Sequence, residues 1–184
     1  GRFKVFNVEN ILSKSGNYHN NLLEGPIYDL MEGDYNRFRY SISNYKAGKL
    51  NGLTITYSGP LGGKVSEIEC QENFLNDKLN GISLFYNIFG VKTLEINYEN
   101  GLKHGPLKEW LNGDQIISDL EFKKGEIWQG FVLLKEEENI EEKEFTNYTF
   151  SHYLENCHKV IKWEFENGKL IGKKSFLLKS DHTN

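Results

Sequence analysis

The residues that could bind a metal ion are clustered at one place in the sequence. His152, Cys157 and His158 lie close together, and imidazole and thiolate groups are ligands that zinc prefers in proteins. Structural zinc sites are usually closed by a fourth protein ligand, and no fourth residue of the right type is evident nearby. We therefore predict no metal site and interpret these side chains as polar positions on a pair of strands.

No other group of residues points to catalysis. The sequence contains neither a Walker phosphate-binding loop nor a GxSxG nucleophile motif, and no GxGxxG motif opens a helix. The paired glycines of Ser58 to Gly63 are interpreted as a hairpin turn and not as a phosphate-binding loop. The sequence predicts a protein that is not an enzyme and that uses no cofactor.

Overall composition narrows the class of protein further. The 22 basic and 26 acidic residues exclude a nucleic-acid binder that works through bulk charge. Six glutamates fall between Glu136 and Glu144, which we interpret as a solvated hairpin tip or edge. Docking of a basic partner and weak binding of a divalent cation are the alternatives for this acidic run. Aromatic residues make up 14% of the chain and Ala47 is the sole alanine, which favours strands and turns over helices.

The glycines follow a repeated pattern that organises most of the chain. The pattern is an aromatic residue, two residues, a first glycine, three residues and a second glycine, as in YKAGKLNG from Tyr45 to Gly52. Asn and Asp tolerate a left-handed backbone best after glycine. The first position is therefore predicted to be one shared turn position with positive φ, occupied by Asn21, Gly48, Asp77, Gly101, Gly125 and Gly168. The second position is predicted to permit a close backbone approach or a bend at a strand start, and is occupied by Gly25, Gly52, Gly81, Gly105, Gly130 and Gly172.

Alternating apolar residues between these turns predict strands, and Asn-Gly turns between them indicate β-hairpins. We predict an all-β fold, an elongated antiparallel sheet of about seven stacked hairpins. It forms a single repeat domain over residues 1–184, with repeats starting near residues 18, 45, 74, 98, 122 and 165 and a degenerate unit near residue 148. Residues 135–164 are alternatively an insertion.

This repeat resembles the MORN family, and specifically the bacterial MORN variant of YwqK-like proteins. The residues that carry the resemblance are Tyr98 to Ile116, Tyr45 to Tyr57 and Phe165 to Gly172. The resemblance implies stacked hairpins that serve as scaffolds for protein–protein contact. It also implies an association with membrane phospholipids for some members and an antitoxin- or immunity-like role for others.

Aromatic side chains are the candidate binding residues. Tyr57, Tyr86 and Trp110 each lie five residues after a second glycine, so we expect them to form a column on one sheet face, with Trp128 as a fourth candidate. The aromatic residues that open the units form a second column. One column must be core, and the other could hold a protein partner or stack against sugar rings. The alternative is that all four candidates are buried.

We therefore predict a scaffold that binds another protein, of unknown identity, and that does not bind nucleic acid. Membrane lipid is an alternative partner because lysines recur near the repeated turns, although edge lysines also prevent strands from pairing between molecules. A carbohydrate-binding module is a further alternative, and pairing of the end strands would give a homodimer. The lysine-rich composition indicates a bacterial origin, either cytoplasmic or exported with the signal segment absent from this chain.

Overall fold

A computed structural model of the chain describes residues 1–31, 37–60, 67–111, 113–135 and 159–177. This part contains fifteen strands and no helix, and its strand pairs are antiparallel, which confirms the predicted all-β hairpin architecture. None of the described residues belongs to a helix long and apolar enough to cross a membrane. The strands are β1 (Arg2–Phe6), β2 (Leu12–His19), β3 (Leu22–Leu23), β4 (Gly25–Met31), β5 (Arg37–Lys46), β6 (Lys49–Pro60), β7 (Glu67–Leu75), β8 (Lys78–Leu79), β9 (Gly81–Tyr86), β10 (Lys92–Glu99), β11 (Leu102–Leu111), β12 (Gln115–Lys123), β13 (Glu126–Lys135), β14 (Lys159–Glu166) and β15 (Lys169–Leu177).

The chain divides into two compact units. The N-terminal unit is formed by Gly1–Val91 with Tyr98–Gly101, and its strands pair in the order β1-β2-β4-β5-β6-β7-β9. The short strands β3 and β8 pair with β2 and β7. The C-terminal unit is formed by Lys92–Asn97 with Leu102–Asn184, and it contains the series β11-β12-β13-β14-β15. In both series, strands that follow one another in the sequence are paired, as expected for hairpin repeats.

Six two-residue turns connect the hairpins at the first repeat position. The six residues expected to share that position all have positive φ, from 63° at Asn21 to 91° at Gly125. The residue before each of them also has positive φ, for example 49° at Ala47 and 52° at Lys124. Two successive residues with positive φ define a type I′ turn, whose twist matches that of antiparallel strands. Of these two turn residues, only the second was predictable from the repeated sequence pattern.

The second repeat position also departs from ordinary strand geometry. Five of these six glycines have positive φ, up to 112° at Gly130, and Gly172 does not. The pairing register shifts beside this position, between Glu121 and Phe122 on β12 and between Glu164 and Phe165 on β14. Such shifts are β-bulges, which bend a strand and free a backbone carbonyl from the ladder.

The freed carbonyl links each hairpin to the next one. In each link, the backbone N–H of the second residue of a turn donates a hydrogen bond to a backbone carbonyl of the preceding repeat. That carbonyl belongs to the residue two positions before the second glycine of the preceding repeat. In the N-terminal unit these bonds run from Gly48 to Leu23, from Asp77 to Leu50 and from Gly101 to Leu79, at 2.9, 3.0 and 2.8 Å. In the C-terminal unit they run from Gly125 to Lys103 and from Gly168 to Trp128, both at 2.8 Å. The repeated glycine pattern therefore encodes contacts between hairpins as well as the turns themselves.

The apolar core of the described residues lies almost entirely in the C-terminal unit. One sheet face there buries a row of cross-strand partners that includes Leu107, Leu120 and Phe165. The opposite face carries a second cluster in which Ile117, Leu133 and Val160 are buried and Leu111 and Phe131 pack against them.

Three features named in the sequence analysis lie outside the described residues. These are the degenerate unit near residue 148, the acidic run of residues 136–144, and the group His152, Cys157 and His158.

Candidate functional site

The N-terminal unit has one polar sheet face, built by alternation along β5 and β6. Ser41 pairs with Thr56 and Ser43 pairs with Thr54, so the four hydroxyl side chains share a face. Each of these residues is at most 9% exposed. We call this surface, with the neighbouring buried Ser83 of β9, the hydroxyl face. A buried surface of this composition is unusual because burial ordinarily favours apolar side chains.

The residues between these hydroxyls form the opposite face, which is apolar and open to solvent. Ile42 and Leu53 are 38% and 37% exposed, and the other members are half-buried. We define the apolar face as Tyr28, Leu30, Phe38, Tyr40, Ile42, Leu53, Ile55 and Tyr57, on β4, β5 and β6. Along β5 and β6, the N-terminal unit therefore buries the hydroxyl face and leaves the apolar face partly exposed, whereas Ile27 of β4, the cross-strand partner of Ser43, is buried.

An aromatic stack forms the centre of the apolar face. The ring centroid of Tyr40 lies 4.8 Å from that of Tyr57, with the ring planes 13° apart. The Tyr40 ring also lies 5.4 Å from Tyr28 and 6.1 Å from Phe38. These distances fall in the range of favourable ring pairs. Burial raises the pKa of Tyr28, and the neighbouring Tyr40 contributes in the same direction. The Tyr28 phenol therefore stays a neutral hydrogen-bonding group at physiological pH.

The four candidate binding residues are half-buried, and they divide equally between the two units. Tyr57 belongs to the aromatic stack, and Tyr86 lies on β9, two positions from Leu84, which pairs with Gln71 of β7. Trp110 and Trp128 lie near opposite ends of β12, because Trp110 pairs with Ile116 and Trp128 lies in the bulge beside Phe122.

Lysines cover both candidate tryptophans, Trp110 and Trp128, of the C-terminal unit. The Lys92 Nζ lies 4.4 Å from the ring centroid of Trp110, and the Lys123 Nζ lies 3.5 Å from that of Trp128. Cation–π contacts of this kind occupy the ring faces that a ligand would need. The two tryptophans are therefore weaker candidates than Tyr57.

The second aromatic column, formed by the residues that open the units, is buried only in part. Phe122 and Phe165 are 1% and 6% exposed, whereas Tyr45, Phe74 and Tyr98 are half-buried. Phe122 pairs with Gly105, and Phe165 pairs with Gly130, so each ring lies across the sheet from a residue without a side chain. This column provides core in the C-terminal unit.

Titratable groups beside the hydroxyl face have pKa values that are raised by burial. Burial raises the pKa of the Cys70 thiol and of the Glu72 carboxyl group, and it also raises that of the Tyr98 phenol. A thiol with a raised pKa is a poor nucleophile at neutral pH. The described residues contain no group of three or more His, Cys, Asp or Glu that could hold a metal ion.

Two hairpin tips in the N-terminal unit share a geometry that the sequence analysis missed. The side-chain oxygen of Asn7 accepts hydrogen bonds from the backbone N–H groups of Glu9 and Ile11, at 3.1 and 2.8 Å. The side-chain oxygen of Asn87 accepts the equivalent bonds from Phe89 and Val91, at 2.9 and 3.0 Å. The sequence signal for this loop geometry was an Asn three residues before a residue suited to positive φ, in NVEN (Asn7 to Asn10) and NIFG (Asn87 to Gly90).

These tips expose large apolar side chains. Val8 is fully exposed, and Ile88 and Phe89 are 58% and 78% exposed. Because the asparagine bonds fix the loop backbone, the apolar side chains are held out in solvent in a defined arrangement.

No protein-family model matches the chain, and no curated protein matches it.

Proposed function

We propose that this chain is a non-enzymatic MORN-type repeat scaffold that binds another protein through the apolar face of its N-terminal unit. The observation that carries the proposal is the inversion of burial in that unit. The serine and threonine side chains of the hydroxyl face are buried, whereas the aromatic stack around Tyr40 on the opposite face is only partly buried. An exposed patch of large apolar side chains on a soluble domain is typical of an interaction site.

The stack has the physical properties of an interface centre. Tyrosine carries a large contact area with few rotatable bonds, so ordering it at an interface loses little conformational entropy. The rings of Tyr40 and Tyr57 are already packed against one another, which reduces that loss further. Aromatic anchors of this type contribute most of the binding free energy in many protein interfaces.

The repeat geometry supports the MORN-type part of the proposal. Every described copy of the pattern contains a type I′ turn, and most copies donate a hydrogen bond to the hairpin before them. Repeats that bond to their neighbours in this way form extended surfaces suited to binding proteins.

An affinity capture from lysate of the native organism tests the proposal. The bait is the chain itself, and the test variant carries Tyr40→Ser together with Tyr57→Ser. The matched control is Tyr18→Ser, which changes an exposed tyrosine of the same unit outside the apolar face. We expect a protein that is retained by the wild type and the control and lost by the test variant. Equal capture by all three chains would contradict the proposal.

A second candidate function, attachment to a membrane surface, is favoured by the exposed side chains of the two hairpin tips. Val8 and Phe89 stand at the ends of fixed loops, where they could enter the interfacial region of a bilayer. Co-sedimentation with anionic liposomes tests this candidate. Val8→Ser with Phe89→Ser should abolish binding, and unchanged sedimentation of that variant would refute it.

A further inference from the structure

A shallow groove lies on the sheet of the C-terminal unit, between β11, β12 and β13. Its volume is about 340 Å³, and its lining includes Pro106, Asp119, Glu121, Gln129, Gly130 and Phe131. Pro106, Glu121 and Gln129 are successive cross-strand partners, and Phe131 pairs with Asp119 in the adjacent row. The groove is therefore built from two neighbouring rows of side chains on one sheet face.

Gly130 permits a close approach of β13 to β12 beneath the groove. A Cβ atom at this position would overlap the backbone oxygen of Asp119 and would lie 2.8 Å from the Cα atom of Leu120, so no residue with a side chain fits there without a shift of the backbone of β12. Leu120 and Gly130 pair in the row of Leu107 and Phe165, which belongs to the opposite sheet face. The floor of the groove is therefore backbone, while its walls are the side chains of the two neighbouring rows.

The walls carry negative charge that no close ion pair within the described residues neutralises. Within the described residues, Glu121 forms no ion pair, and Asp119 has only a long contact of 3.6 Å with Lys108, in which both side chains are 42% exposed. An ion pair with that exposure contributes little. The Glu121 carboxylate and much of the charge of Asp119 therefore remain available to an incoming cation.

The aromatic wall of the groove is the ring of Phe131. The Nζ atom of Lys162 lies 4.6 Å from the centroid of this ring, so its cation–π contact is already made within the chain. The ring therefore offers an incoming side chain an apolar wall and not a cation–π partner. Lys162 also forms a 2.6 Å ion pair with Glu164, which ties its charge to β14 and leaves Glu121 without it. Pro106, across the groove, is exposed and supplies a flat apolar wall for an alkyl stem.

We propose that this groove binds a single cationic side chain, an arginine or a lysine, from a basic segment of the partner protein. The inference rests on the proposed protein-binding function, because it names the chemistry of one contact with that partner. The alkyl stem packs between Pro106 and Phe131, and the charged end bonds to Glu121, with the side-chain amide of Gln129 beside it. An anionic group would be repelled by the two carboxylates, and an apolar side chain would remove Glu121 from water without a partner.

Synthetic peptides test the groove directly. The probe is acetyl-Gly-Arg-Gly-amide, and the matched ligand is the same peptide with citrulline, which keeps the shape of arginine but lacks its charge. Each is titrated into the full isotope-labelled chain at millimolar concentration while backbone amide shifts are recorded. We expect saturable shifts at residues 106, 119–121 and 129–131 with the arginine peptide, and an affinity for the citrulline peptide lower by about fivefold or more.

Two variants separate the groove from general attraction to an acidic chain. Glu121→Gln should weaken binding of the arginine peptide by about fivefold, whereas Glu126→Gln, an exposed change at the start of β13 in the same hairpin, should leave it within about twofold. The inference is overturned if no saturable shift appears, if the citrulline peptide binds equally well, or if both variants behave alike. Because the probe is synthetic, these results do not depend on the capture experiment. A failed peptide titration would not count against protein binding by the apolar face, and a failed affinity capture would not change the result of the titration.

Discussion

Glu72 of the N-terminal unit lies in an environment that disfavours the charged form of its side chain. It pairs across the sheet with Thr54, whose buried side-chain oxygen has no hydrogen-bond partner in the described residues. Burial raises the pKa of Glu72 above its ordinary value of 4.5, although a contact with Cys70 acts in the opposite direction. The folded chain therefore binds this proton more tightly than the unfolded chain does.

The sign of the resulting pH dependence follows from that difference. The stability contributed by protonated Glu72 is fully present below the unfolded pKa and is lost as the pH rises through the folded pKa. We expect the melting temperature of the wild type to fall relative to that of Glu72→Gln as the pH is raised from about 4 to about 7. Thermal melts across this range measure the difference. Glu67→Gln, an exposed change on the same strand, is the control, and a parallel pH dependence of the wild type and Glu72→Gln would contradict the assignment.

Gly130 provides a second prediction at the scale of one residue. Gly130→Ala should lower the free energy of unfolding by about 2 kcal/mol or more, because it combines positive φ with a backbone overlap. Gly172→Ala is the matched control, since its φ is not positive and the nearest atom to its Cβ is the Glu164 Oε2 at 3.7 Å. Denaturant unfolding of both variants measures the two effects. Equal losses would show that the close approach at Gly130 has no energetic consequence.

At the scale of elements, the turns illustrate what a sequence can reveal. The interchange of Gly with Asn and Asp at one position indicated positive φ, since few other residues tolerate it. The residue before it was not predicted, because Ala47 and Lys124 have no such preference and adopt positive φ only where a type I′ turn requires it. Strand alternation likewise indicated hairpins, whereas the bonds between hairpins depend on carbonyls that only the bulges release.

Asparagines before the opening aromatic residues are a feature of the elements that the sequence analysis overlooked. The side-chain amides of Asn44, Asn73 and Asn97 donate hydrogen bonds of 2.7 Å to the carbonyls of Leu53, Ile82 and His104. Each carbonyl lies next to a second glycine. The asparagine therefore supplies the bond that the bulge removes from the strand ladder.

Removal of this bond gives the prediction for the element scale. Asn73→Ala should reduce the free energy of unfolding by about 1 kcal/mol, the usual net contribution of a hydrogen bond. Gln71→Ala is the matched control, because Gln71 lies on the same strand and its side-chain amide makes no hydrogen bond within the described residues. We expect the control to lie within about 0.5 kcal/mol of the wild type. Chemical denaturation distinguishes them, and losses of the same size in both variants would count against the proposed role.

At the scale of the whole molecule, the choice of buried face could not be predicted. The alternation Ser41-Ile42-Ser43 and Thr54-Ile55-Thr56 indicates one apolar and one polar face, and the ordinary rule would bury the isoleucines. The structure instead buries the hydroxyls. Burial of a sheet face depends on how the neighbouring strands curve around it, which no local pattern records. For the same reason the sequence indicated two aromatic columns without showing that the core column is buried mainly in the C-terminal unit.

This unequal burial predicts different local stabilities in the two units. Of the fourteen buried hydrophobic residues in the described part of the chain, only Ile27 and Cys70 belong to the N-terminal unit. That unit also buries the unpartnered hydroxyls of Thr54 and Ser83, which opposes its stability. We therefore expect amides of β4–β6 to exchange with solvent faster than those of β12–β14, although both sets lie in the interior of their sheets.

Native-state hydrogen exchange followed by mass spectrometry measures both sets in one experiment. If both sets of amides exchange at one rate that follows global unfolding, the chain opens as a single cooperative body. The amount of apolar surface buried within a unit would then not determine the local stability of that unit. A lower protection in β4–β6 would instead mean that the proposed binding face lies on the less stable unit, where a bound partner would produce the larger gain in protection.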